Sequence, residues 1–200
     1  MSKKILIALL SLGLIVLLYF LASRPGSSPG SNSIPTTSLE EKICTKVAAQ
    51  YGDCKKVILI DTNSNVAFAE TGFGILPVLI SKDHTEMVKM IPGLDFQEFR
   101  EEKEETGPIT WRVENNVQKD FSIIYGFARD NAKTIIINSE GNIQPNKFFV
   151  RDDLAGMSGG SGTAALWVWY VTSKDEMFKP ADVTVYGADG HIIYGGSKEE

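Results

Sequence analysis

Residues 156–160 read Gly-Met-Ser-Gly-Gly, a G-x-S-x-G pattern centred on Ser158. A serine in that setting is a candidate nucleophile, and to attack a carbonyl it needs a base to take its proton. The chain contains only two histidines, His84 and His191, so any Ser-His scheme must use one of them. His191 follows the serine, with Asp175 and Asp182 between. His84 precedes it, with Asp120 or Asp130 available as the orienting acid.

Each scheme requires elements that the sequence does not supply. A hydrolase elbow places the serine between a buried strand and a helix, on a large parallel sheet. Here "VRDDLA" precedes Gly156 and is too polar for a buried strand, while the residues after Ser161 have strand character. The histidine-first order of chymotrypsin-like proteases requires a double barrel larger than this chain provides. "KDHTEMVKM", which carries His84, reads as a short helix ended by Pro92-Gly93. Four glycines within 156–162 fit a connection between strands. A small serine hydrolase using Ser158 with His84 or His191 is therefore the alternative reading. A non-enzymatic protein is the expectation.

A second constellation is aromatic. In "ALWVWYV" alternation puts Trp167, Trp169 and Val171 on one face and Leu166, Val168 and Tyr170 on the other. A strand apolar on both faces is either central in a layered fold or leaves one face for a ligand. Exposed Trp167 and Trp169 would stack on sugar rings, so a cell-wall glycan binder is a second alternative. A buried core strand is the expectation.

The cysteines are Cys44 and Cys54, and there are no others. Their spacing has no metal or redox-motif character by itself. A disulfide is expected if the chain lies in an oxidising compartment, provided that it folds back sharply after Tyr51. Asp61-x-Asn63-x-Asn65 imitates the start of a calcium loop. The imitation fails at Val66 and Gly72, where Gly and Glu are required. It reads as a turn. No metal site and no cofactor motif is expected.

Location is the clearest signal. Residues 5–22, "ILIALLSLGLIVLLYFLA", carry no charge and as a helix would be about 27 Å long, close to the hydrocarbon thickness of a bilayer. Lys3 and Lys4 precede the run and only Arg24 closely follows it, which predicts a cytoplasmic N-terminus and an extracytoplasmic 24–200. Cleavage after Ala22 or Ser23 would put Phe20 or Leu21 where a small residue is needed, so residues 1–22 read as a retained anchor or uncleaved signal. Residues 23–38 are a Ser/Gly/Pro linker. The formal net charge of −5 argues against nucleic-acid binding and against a basic membrane-surface patch.

Beyond the linker two parts are expected. Residues 39–118 read as an α+β membrane-proximal domain. It begins with an S-x-x-E capping box at Ser38 and a helix whose apolar face is Leu39, Ile43 and Val47. A hairpin "KVILIDTNSNVAFAE", a strand "ILPVLIS", a helix "DFQEFREEKEETG" and a strand "ITWRVEN" follow. Residues 119–200 read as six short strands with no room for crossover helices, hence an antiparallel β-sandwich of immunoglobulin-like type. The fold class is thus α+β, mostly β, behind a transmembrane helix.

The run "FSIIYGFARDNAKTIIINSEGNIQPNKFFV", with "WVWYV" and "VTVYGADGHIIYGG", resembles uncharacterised membrane-anchored extracytoplasmic proteins of Gram-positive endospore-forming bacteria. "VILIDTNSNVAFAETGFG" looks like their membrane-proximal hairpin, and the likeness covers most of 55–196. It brings no catalytic residue, and the Gly/Ser segment 156–162 is longer than that pattern. The resemblance implies an envelope protein whose partner is an unidentified envelope protein or cell-wall component, beside the lipid bilayer that holds residues 5–22.

Overall fold

Ser38 opens the first helix as its sequence predicts. Its hydroxyl accepts from the Glu41 amide at 3.2 Å, and the Glu41 carboxylate accepts from the Ser38 amide at 3.1 Å. Helix α1 (Leu39–Tyr51) buries Ile43 and Val47 and ends at Gly52, whose φ of 88° is left-handed. That residue reverses the chain, so Cys44 and Cys54 stand 5.2 Å apart at Cα and form a disulfide. The computed structural model describes residues 37–129, 131–138, 142–151, 165–174, 177–179 and 182–195.

The first sheet is antiparallel. Strands β1 (Lys56–Asp61), β2 (Val66–Glu70), β3 (Gly74–Ile80) and β4 (Met87–Met90) pair in that order, and β5 (Leu94–Asp95) pairs with the start of β3. Pro77, inside β3, has no N–H to give. One side of β3 is shared between β5 at residues 74–75 and β4 at 78–80, and Pro77 falls at the gap, where its carbonyl accepts from Ile91. The helix expected over "KDHTEMVKM" is replaced by a turn and β4. The Ser81 hydroxyl accepts the amides of Thr85 and Glu86, and His84 takes a φ of 56°, which stops a helix from propagating. The second helix is as expected. Asp95 accepts the amides of Gln97 and Glu98 at the start of α2 (Phe96–Thr106).

The remaining strands are β6 (Arg112–Gln118), β7 (Phe121–Arg129), β8 (Thr134–Ile137), β9 (Asn146–Arg151), β10 (Leu166–Ser173), β11 (Val183–Tyr186) and β12 (Ile192–Tyr194). They form two antiparallel sheets, β6-β7-β10-β9 and β12-β11-β8. Packing explains why β7 and β10 are apolar on both faces. Tyr125, Phe127, Val168 and Tyr170 meet Val66, Phe68 and Ile75 of the first sheet. On the opposite face Ile124, Ala128, Trp169 and Val171 meet Ile135, Ile137, Val183 and Val185 of the third. The other side of the first sheet is covered by α1 through Ile43 and Val47. The result is four layers, one helix and three sheets.

Strand pairing and packing both run across the expected 118/119 boundary, since β6 hydrogen-bonds β7 and Phe68 packs on Tyr170. Gly126 in the middle of β7 has a packing cause. A Cβ there would lie 1.8 Å from the Thr110 carbonyl oxygen. Among the described residues no helix is long and apolar enough to cross a membrane. The expected span 5–22 and the linker up to residue 36 lie outside those residues.

Candidate functional site

The β1–β2 turn is built by one carboxylate. Asp61 Oδ1 accepts from the amides of Asn63 at 3.0 Å and Ser64 at 3.3 Å, and Asn65 adopts a left-handed φ of 51°. Asp61 Oδ2 accepts from the Tyr170 hydroxyl at 2.8 Å, which fixes the turn against β10 in the next layer. Phe68 lies 4.8 Å from the Tyr170 ring and 5.0 Å from that of Phe148, holding the tyrosine in place. Burial pushes the Asp61 carboxyl up, but the donors from Ser64, Tyr170 and Asn63 outweigh it and hold it below the usual carboxylate value.

A hollow lies on each side of this turn, each of about 560 Å³. One is lined by Leu59 to Asp61, Asn146, Lys147, Phe148 and Tyr170, between the edge strands β1 and β9. The other is a cleft between the loop ends of the first two sheets. Asn63, Ser64 and Asn65 border it from the β1–β2 turn, and Ser81 and Lys82 from the β3–β4 loop. Gln118, Lys119 and Asp120 reach it from the β6–β7 turn, and Thr172, Ser173 and Lys174 from the end of β10. Phe121, Leu79 and Val88 give it apolar wall. This volume is that of a small-molecule site, and the lining is rich in amides, hydroxyls and ammonium groups.

The β1–β2, β3–β4 and β6–β7 turns around the cleft are stiffened by local hydrogen bonds. In the β3–β4 loop the Asp83 carboxylate accepts from the hydroxyls of Ser81 and Thr85, and these donors hold it below its usual value. The Ser81 amide donates to the Glu86 carbonyl at 2.9 Å. At the β6–β7 turn Asp120 takes a φ of 60° between the paired Gln118 and Phe121.

The candidate residues fall in different places. Ser158 lies outside the described residues, as do Asp130 and Asp175. His84 sits in the β3–β4 loop with Nε2 3.2 Å from the Thr62 carbonyl oxygen. His191 is exposed in the β11–β12 turn of the third sheet, and its amide donates to Asp189. Asp120 is exposed at the β6–β7 turn, and Asp182 accepts from the Lys179 amide as a turn cap. Among the described residues neither imidazole hydrogen-bonds a carboxylate or a hydroxyl, and no group of three His, Cys, Asp or Glu is arranged to hold a metal.

The aromatic pair separates by depth. Trp169 is fully buried and its Nε1 donates to the Phe127 carbonyl at 3.3 Å, so it belongs to the core rather than to a stacking surface. Trp167 is half-buried at the β9 side, edge-on to Phe149 and under the Lys147 ammonium at 4.9 Å. Cys44 and Cys54 are joined, as described above. The cleft itself escapes sequence reasoning because five separate segments form it. A faint signal exists in retrospect: Lys82, Lys119 and Lys174 are each followed directly by Asp, and each stands at the end of a strand.

No protein-family model matches the chain, and comparison with curated proteins and with solved structures finds no match either.

Proposed function

We propose that this is a single-pass, membrane-anchored extracytoplasmic protein that acts in the cell envelope by binding or structural contact rather than by catalysis. The observation that carries the proposal is the Cys44–Cys54 disulfide. The chain's only two cysteines are spent on it, and such bridges persist in oxidising compartments, where a helix over residues 5–22 would deliver the rest of the chain.

In this reading the distal part is an immunoglobulin-like sandwich. Lettering β6 to β12 as A to G, the sheet orders are A-B-E-D and C-F-G, the arrangement of a seven-stranded constant-type domain. That architecture hosts many unrelated functions, so the binding role rests on the site and not on the fold. The cleft beside the β1–β2 turn supports a ligand role, with an envelope protein or cell-wall component as partner. The histidines, lying in different layers without acid partners, give a serine hydrolase little to build on among the described residues.

Thiol trapping tests the placement. Cells are quenched in acid, and the protein is then treated with a maleimide that adds a visible mass per thiol. The proposal predicts no adduct before reduction and two after it. Two free thiols in the unreduced sample would contradict it.

A further inference from the structure

We infer that the cleft bordered by Lys82, Lys119 and Lys174 binds a phosphorylated sugar or polyol. The inference deepens the reading of the protein as a binding module and rests on it.

The first argument is charge. The chain is acidic overall, with a net charge of −5, yet among the described residues three lysines border this one cleft against one lining carboxylate, Asp120. Some cations elsewhere are neutralised locally: Lys55 and Lys56 lie near Glu70, and Arg112 pairs with Glu98. Among the described residues Lys82, Lys119 and Lys174 form no ion pair with a side chain. Two carboxylates in the neighbouring turns are engaged by local donors. Asp61 is held by Asn63, Ser64 and Tyr170, and Asp83 by Ser81 and Thr85. Their negative charge is met by fixed donors, while the ammonium groups have no such counterpart. A cleft with protein walls and an excess of positive charge concentrates anions.

The second argument is the rest of the lining. Asn63, Asn65, Gln118 and Thr172 add amide and hydroxyl groups, which match the hydroxyls of a sugar or polyol better than they match a bare inorganic ion. The lysines come from three different strand ends, and the β3–β4 and β6–β7 turns that carry Lys82 and Lys119 are held by their own hydrogen bonds, which limits the backbone ordering that binding requires. A phosphate on such a ligand would take lysine as a point-charge partner.

Glycerol phosphate is a phosphorylated polyol that occurs both in soluble polymers and in lipid headgroups, and two probes separate these sources. The full-length protein in an uncharged detergent is titrated with a short poly(glycerol phosphate) and, separately, with a water-soluble short-chain phosphatidylglycerol. Saturable binding of either supports the site, and the probe that binds names the source. Replacing all three lysines, K82Q/K119Q/K174Q, should weaken that binding about ten- to a hundredfold, as three exposed charge contacts would. A control with the same charge change at exposed lysines outside the cleft, K56Q/K133Q/K179Q, should bind as the parent does. Flat titrations with both probes, or equal weakening by the two triple variants, would overturn the inference. Those results would leave the envelope placement standing, because thiol trapping decides that independently.

Discussion

The Tyr170 hydroxyl donates to the Asp61 carboxylate at 2.8 Å, joining β10 of the second sheet to a turn of the first across 109 residues of sequence. It is a long-range bond between layers that the sequence places in separate parts. Tyr170→Phe removes a donor to a charged group and should cost about 1–2 kcal/mol in chemical denaturation. If Asp61 is the partner that matters, Tyr170→Phe should cost clearly less in an Asp61→Asn background, as a double-mutant cycle would show.

The same pair sets a pH dependence. The Asp61 carboxyl is pushed up by burial but held below its ordinary value by the Ser64, Tyr170 and Asn63 donors. Its contribution to stability is therefore complete above the ordinary aspartate range and lost as pH falls through the lower folded value. Burial first, and then Asp61, raises the Tyr170 phenol. That contribution is complete below the ordinary phenol range and lost as pH rises through the higher folded value. Urea midpoints measured from acid to alkaline pH should be level between these limits. Asp61→Asn should flatten the acid limb.

Reducing the Cys44–Cys54 bridge, or replacing both cysteines by serine, should cost about 3 kcal/mol for so short a loop. The loss should show as a lower thermal midpoint. Because α1 covers the outer face of the first sheet through Ile43 and Val47, hydrogen exchange should rise first along α1.

Gly126→Ala should be among the most damaging small substitutions. The added methyl would meet backbone, the Thr110 carbonyl and the Trp111 Cα, rather than a side chain that can swing away. Overpacking against backbone costs about 1–3 kcal/mol or more. Expression and denaturation of this variant beside Gly190→Ala separate the effect from a generic glycine loss. At Gly190 nothing lies within 4 Å of an added Cβ, and only its left-handed φ of 79° is strained.

The two tryptophans should differ in the same way. Trp169→Ala empties a fully buried site and removes a bond to the Phe127 carbonyl, at about 3–5 kcal/mol. Trp167→Ala, at a half-buried position beside exposed Phe149, should cost much less. Equal losses in denaturant would contradict this partition of β10.

Much of the fold is legible because it is local. Ser38 and Glu41 announce a helix start, Asp95 announces another, and the runs around Phe121, Ile135 and Val183 alternate between turn signals. The error at His84 is equally local. Helical spacing of apolar residues around Met87 competes with Ser81, Asp83 and Thr85, whose side chains bond the backbone and win. What escapes is non-local. Sheet order, the contact of Phe68 with Tyr170 and the gathering of Lys82, Lys119 and Lys174 depend on pairings between distant segments, which periodicity does not encode.

We propose that residues 24–200 face the outside, held by a membrane-spanning 5–22. The most direct test is protease added to intact, wall-stripped cells expressing the full chain with a C-terminal epitope, beside a cytoplasmic control protein. The expected outcome is that the epitope is lost while the control survives. An epitope that persists until the membrane is broken open would contradict it.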